Sequence, residues 1–387
     1  GMPEYQNAFP KNDSLIVKNL KQQGATIIGK SNMAELAIGS HTKNKLFKSS
    51  SNPYDLSLSP GGSSGGASAA VASCLIPFSD GTDMMGSCRN PAAYTNLYGF
   101  RPSPGLIPDK RAESKYPVLT TPGGIARTPE DLSIFLDSVS GQDDEDHYSY
   151  SFEGSFRSIE KNLNSEIRIG WLSNFVENYT FEKGIIELCE VALNQFATAE
   201  KKISIEQCNI NIDPNKLWQV WCNLRSKITF DDLAAMQIQN FEELGFPAKW
   251  EYEQGEKIKE VEISSAINQY HKDHSYVDGF FDEYDILALP SAQLFPFDKE
   301  IDFPKIIQET QMDTYHRWME VTIFASMFQL PTISVPVGFN EKGLPMGMQL
   351  IGKNKSDEKV IHIGKYYEEI FNRSKIQPNI INELQAN

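Results

Sequence analysis

No apolar run in this chain reaches the ~18 residues that a membrane-spanning helix needs, so the sequence excludes a bilayer-crossing segment. Positive charge is in deficit: 36 Lys and Arg stand against 51 Asp and Glu, a formal net charge of −15 over 387 residues. That balance argues against a nucleic-acid partner, which would need basic residues to neutralise phosphates. Cysteine is scarce as well. The five present, Cys74, Cys88, Cys189, Cys208 and Cys222, are odd in number and form no CxxC pair, so neither a disulfide framework nor a zinc site is expected. Reduced thiols point to the cytoplasm. The opening residues, GMPEYQNAFPKND, lack a positive region leading into an apolar run, so no secretory leader is expected. His271 and His274 form an HxxH with no third ligand nearby and are expected on a polar helix face, so no metal is expected.

What the chain does have is bulk. With 40% hydrophobic and 11% aromatic residues it can bury a large core. No internal repeat is visible, and a single domain over 1–387 is expected. Ser14 or Asp13 caps a first helix from Leu15, and Gly24 stops it. Ala25 to Gly29, ATIIG, reads as a buried strand, followed by a polar loop to Ser59. Small residues from Ala67 to Cys74 form a helix, Ile76 to Phe78 a brief strand, and Asn90-Pro91 opens a short helix. Leu119 to Arg127, LTTPGGIAR, reads as a turn. Thr128 then caps a helix over about 132–138.

Farther on, Gln142 to Ser158 is acidic and polar and reads as an exposed excursion or lid, with Asp143 to Asp146 as a solvated loop. Strands are expected at Ile167 to Trp171, Asp285 to Leu289, Thr332 to Val337 and Gly347 to Ile351. Helices are expected at 182–201, 216–244, 257–284, 314–328 and 358–371. Trp218 and Trp221 stand at core spacing. His316 and Arg317 are expected on a helix surface with Trp318 in the core, a contribution to a pocket being the lesser alternative. The alternation indicates an α/β fold with a central mixed, twisted β-sheet flanked by α-helices.

The chemistry concentrates between Ser59 and Pro91, SPGGSSGGASAAVASCLIPFSDGTDMMGSCRNP. Two Gly/Ser-rich loops are joined by small residues. Successive N–H groups in a glycine turn beside a helix start suit a phosphate or the oxyanion of an acyl-transfer intermediate. The loop lacks the Lys-Ser/Thr ending of a P-loop and the order of a dinucleotide site. No GxSxG elbow surrounds Ser87. A plain linker would lack both the apolar run and the set of Asp83, Ser87 and Arg89.

This stretch resembles the signature of the amidase signature enzymes: GGSSGG, then GTDxGGSxRxPA. Ser63 and Ser87 lie 24 residues apart, as in the family. Likeness extends to GKSNMAELA at 29–37, GFRPSPGLIP at 99–108, TPGGIARTPEDL at 121–132, and PTISVPVGFNEKGLPMGMQLIG at 331–352. The signature core spans about 25–140, a variable region about 142–280, and the return to the sheet about 281–387.

The resemblance implies an amidase without a cofactor. Ser87 attacks an amide carbonyl, and Ser63 relays the proton toward a lysine base. The N–H groups of Met84, Met85, Gly86 and Ser87 hold the oxyanion. Ser64, Asp83 and Arg89 support the loop, while Ala37 and Ile38 line the acyl pocket. The implied substrate is a small, linear, non-peptide amide. Two departures stand out. The family's lysine segment, GxPxxxKDN-like, lies upstream of GKSNM and does not occur here; Lys30 belongs to GKSNM and matches a different lysine. A partner chain, such as the second copy in a homodimer, would then cover the sheet edge. Met85 stands where the family has glycine, which permits unusual backbone angles and close substrate approach, so distortion or blocking of the oxyanion site is expected there. The alternative to an amidase is a catalytically impaired homologue that binds or assembles.

Overall fold

Three short apolar runs build the middle of the sheet in the computed structural model, which describes residues 1–110, 114–158, 165–236, 238 and 240–381. ILALP, TISVPVGF and PMGMQLI are almost wholly buried, because neighbours cover both faces and both edges. In chain order the eight strands of this sheet are β1 (Phe78–Asp83), β2 (Tyr98–Arg101), β3 (Thr121–Ala126), β4 (Ile167–Leu172), β5 (Ile203–Cys208), β6 (Ile286–Pro290), β7 (Thr332–Phe339) and β8 (Pro345–Ile351). Their spatial order is β1-β3-β2-β7-β8-β6-β4-β5. The β1 end is antiparallel through to β6, and β6, β4 and β5 are parallel, so the sheet is mixed as expected.

Eleven helices flank it among the described residues: α1 (Leu15–Gln22), α2 (Gly65–Ala72), α3 (Arg89–Tyr94), α4 (Pro129–Val139), α5 (Ser173–Asn178), α6 (Ile185–Ala199), α7 (Pro214–Ala235), α8 (Phe246–Lys257), α9 (Glu260–Phe280), α10 (Ile323–Met327) and α11 (Asp357–Phe371). Strand alternation divides them between faces. Ile333 of β7 abuts Gly364 of α11, whereas Ser334 lies on the side of Ala93 in α3. Thr128 caps α4 by accepting the Asp131 N–H at 3.0 Å, as its sequence indicates. Trp218 and Trp221 are buried. No helix among the described residues is long and apolar enough to cross a membrane.

Four expectations need correction. Residues 25–29 form no strand. Their one backbone bond runs from Ala25 N to Leu20 O, and Ile28 is 73% exposed, because no described strand pairs with them. LTTPGGIAR is not a turn: Thr121–Ala126 is the buried strand β3. Its glycines serve packing instead, since a Cβ on Gly124 would stand 2.7 Å from Phe135 Cδ1 of α4. Gln142 to Ser158 is not a free excursion. Buried Phe156 stacks on Phe152 at 4.5 Å, and buried Asp146 accepts the Asp109 and Tyr148 N–H groups at 3.0 and 2.9 Å. Finally, the helix expected at 314–328 is a 3-10 segment, Arg317–Thr322, running into α10, and His316 is buried rather than on a surface.

Candidate active site

The first glycine loop is fixed by one hydroxyl. Thr42 Oγ1 donates to Gly61 O at 2.8 Å and lies 3.1 Å from Ser63 O, while accepting the Gly65 N–H at 2.8 Å. Ser63 O also accepts the Ala34 N–H at 3.2 Å, and the Gly62–Ser63 peptide is cis. The Ser63 hydroxyl is buried and has no hydrogen-bond partner among the described residues. Ser64 N–H donates to Ser87 O at 3.4 Å, which ties this loop to the second.

The second loop wraps around a carboxylate. Strand β1 ends at Asp83, whose oxygens accept the N–H groups of Gly86 at 2.9 Å and Cys88 at 3.2 Å. Arg89, the first residue of α3, clamps Asp83 through Nε at 3.0 Å and Nη2 at 2.7 Å. Its remaining donors go to Thr322 O, Ser326 Oγ and Gln349 Oε1. Burial by itself would raise the Asp83 pKa, but the Arg89 and Arg101 guanidiniums outweigh it and hold the carboxyl well below the usual range. Asp83 is therefore a fixed anion that shapes the loop.

That loop bears on the backbone half of the expectation for Met85. The left-handed residue is Gly86, at φ +81°, whereas Met85 is absent from the positive-φ positions and buries its side chain in the core. Methionine therefore fits without the backbone distortion expected for it. Gly86 spends its N–H on Asp83, and the N–H groups of Met84, Met85 and Ser87 make no backbone or side-chain bond among the described residues. Cys88 faces inward, and burial pushes its thiol pKa up, so it stays neutral.

Ser87 opens on a narrow cleft with Met84, Met85, Ala37 and Ile38 on its walls. These five of the expected site residues meet there; Asp83, Arg89 and Ser64 lie behind the loop. The rest of the wall includes Arg225 of α7, Tyr315 and Met319, which the sequence did not single out for the site, and His316, for which a pocket contribution was the lesser alternative. Arg225 donates to Glu251 Oε1 at 2.5 Å, to Ile38 O at 3.1 Å and to Tyr315 Oη at 2.9 Å. Glu251 also accepts from Ser226 Oγ at 2.6 Å and Tyr315 Oη at 2.7 Å, so its charge is fully engaged. One signal was available. Trp218, Trp221 and Arg225 fall on one helical face, and an arginine on a buried face needs a partner. No group of His, Cys, Asp and Glu among the described residues could hold a metal, and His271 and His274 lie on α9 beside Tyr270.

The family model of the amidases matches residues 1–361. The chain belongs to the amidase family. It is 31% identical over 95% of its length to a glutamyl-tRNA(Gln) amidotransferase subunit of Legionella pneumophila (strain Paris), covering 79% of that protein. Among solved structures it resembles a bacterial aryl acylamidase of the amidase signature enzymes, with a TM-score of 0.88, 25% identity, and coverage of 97% of this chain and 79% of that one. It also resembles a glutamyl-tRNA(Gln) amidotransferase subunit from Thermotoga maritima, with a TM-score of 0.77, 26% identity, and coverage of 95% and 78%. An amidase-family chain of this fold is an amide C–N hydrolase or a related enzyme. The mixed sheet and its flanking helices are those of the amidase signature enzymes.

Proposed function

We propose that this chain hydrolyses a small, linear, non-peptide amide through an acyl-enzyme on Ser87. The observation that carries this reading is the position of Ser87 on a narrow cleft lined also by Met84 and Met85, with the N–H groups of Met84, Met85 and Ser87 unbonded among the described residues. The Ser87 hydroxyl oxygen attacks the carbonyl carbon, and its proton passes to Ser63 Oγ and on to a base, a lysine by the family resemblance. The free N–H groups take up the negative oxygen, with Gly86 held back by Asp83. Collapse expels the amine with the proton, and water then releases the acid and restores the serine. Ala37 and Ile38 flank the acyl part. No cofactor enters this scheme. A formal charge of −15 supports a small-molecule substrate rather than a nucleic acid, and five free cysteines suit a cytoplasmic setting. A homodimer remains part of the proposal as cover for the β1 sheet edge.

A second reading, a homologue that binds or assembles without turnover, has one observation in its favour. Ser63 Oγ meets no base among the described residues. Ammonia release from a panel of small primary amides separates the two. Turnover that disappears in Ser87→Ala supports the hydrolase, and a folded protein silent across the panel supports the second reading.

A further inference from the structure

His316 is the residue of the cleft that this scheme leaves idle. It is 1% exposed, it lines the same cleft as Ser87, and neither ring nitrogen has a hydrogen-bond partner among the described residues. Buried polar atoms are nearly always paired, and an unpaired set on a side chain that lines a cleft marks a place where a ligand can supply the partner. The ring is held by aromatics, tilted against Tyr315 and Trp218 and edge-on to Trp250. Its centroid lies 4.6 Å from that of Tyr315, 5.0 Å from Trp218 and 5.6 Å from Trp250. Packing of this kind fixes the ring's orientation while giving neither buried nitrogen a hydrogen-bond partner among the described residues.

The charges around the ring decide what it can accept. Arg225 is answered by Glu251, and Arg317 by Glu320 at 2.6 Å and Asp313 at 3.4 Å. Burial and these two guanidiniums push the imidazole pKa well down, so the ring is neutral, with one N–H donor and one acceptor. A cationic ligand group would meet the arginines and find no free carboxylate. A neutral hydroxyl or carboxamide satisfies either ring nitrogen, whichever tautomer is present.

We propose that His316 is the specificity-determining residue of this cleft, and that the substrate is an uncharged small amide whose acyl chain carries a second hydrogen-bonding group, a hydroxyl or a carboxamide. This rests on the hydrolase reading of Ser87. It predicts discrimination because an alkyl chain of equal size would leave the imidazole unpaired.

The test measures binding to the Ser87→Ala protein, so it does not depend on turnover. The probes are 4-hydroxybutyramide and its isostere valeramide, with succinamate as an anionic control. The expected result is about tenfold tighter binding of 4-hydroxybutyramide than of valeramide. The preference should vanish when His316→Phe is added and return in part with His316→Gln, which also guards against misfolding of the Phe variant. Equal affinities, a preference that survives His316→Phe, no binding of either amide, or tighter binding of succinamate would each overturn the proposal. Turnover of 4-hydroxybutyramide by the unaltered protein tests the hydrolase reading separately. Its absence alongside an intact binding preference would overturn that reading and leave the role of His316 standing.

Discussion

Asp83 and Arg89 form a two-pronged ion pair with neither side chain exposed, and the loop that carries Ser87 is folded around it. Removing one partner of a buried pair strands the other charge, a cost of about 3–5 kcal/mol. Arg89→Ala is therefore expected to lower the unfolding free energy by about that amount in urea titrations. A loss under about 1 kcal/mol would mean that Arg101, 3.5 Å from the same carboxylate, compensates.

The buried carboxylate of Asp357 should give the opposite pH signature. Ser103 N–H donates to its Oδ1 at 2.8 Å, Oδ2 has no partner among the described residues, and burial raises its pKa to about 6 despite the Ser103 bonds. A raised carboxyl pKa means that the folded state holds the proton more tightly than the unfolded one. Stability from this group is then full below about pH 4 and is lost as pH rises through about 6, by roughly 2–3 kcal/mol. The difference in urea midpoint between the parent protein and Asp357→Asn should change across that window and level off above it. A difference independent of pH would contradict the assignment.

Much of the sheet was legible in the sequence, and the reasons are local. DILAL, TISVPV and GMQLI are short apolar runs with clear boundaries, and buried strands need little more. The signature loops were legible because chemistry restricts their residue types. What was lost depends on distant partners. TPGGIA carries turn chemistry, yet its glycines answer to Phe135 of α4. ATIIG has a strand's composition but no described neighbour. Arg225 and Tyr315 are 90 residues apart and meet only in the fold, so the far wall of the cleft was marked locally only by an arginine on the buried face of Trp218 and Trp221. For His316 a pocket contribution was the lesser alternative to a helix surface, because its burial depends on the same distant partners.

Gly86 should tolerate no side chain. Its φ is +81°, and a Cβ there would lie 2.8 Å from Thr322 Cγ2. Gly86→Ala is expected to cost about 1–3 kcal/mol in thermal unfolding. Amide turnover should fall at least about tenfold as the donors of Met85 and Ser87 shift. Unchanged turnover in a destabilised variant would separate the loop's conformation from the chemistry.

The central claim is that Ser87 is an activated nucleophile. Treatment with a fluorophosphonate probe, followed by intact mass measurement and peptide mapping, tests it most directly. A single adduct on Ser87 is expected, absent in Ser87→Ala and formed far more slowly in Ser63→Ala. No adduct on the folded protein, or an adduct mapped to another serine, would contradict it.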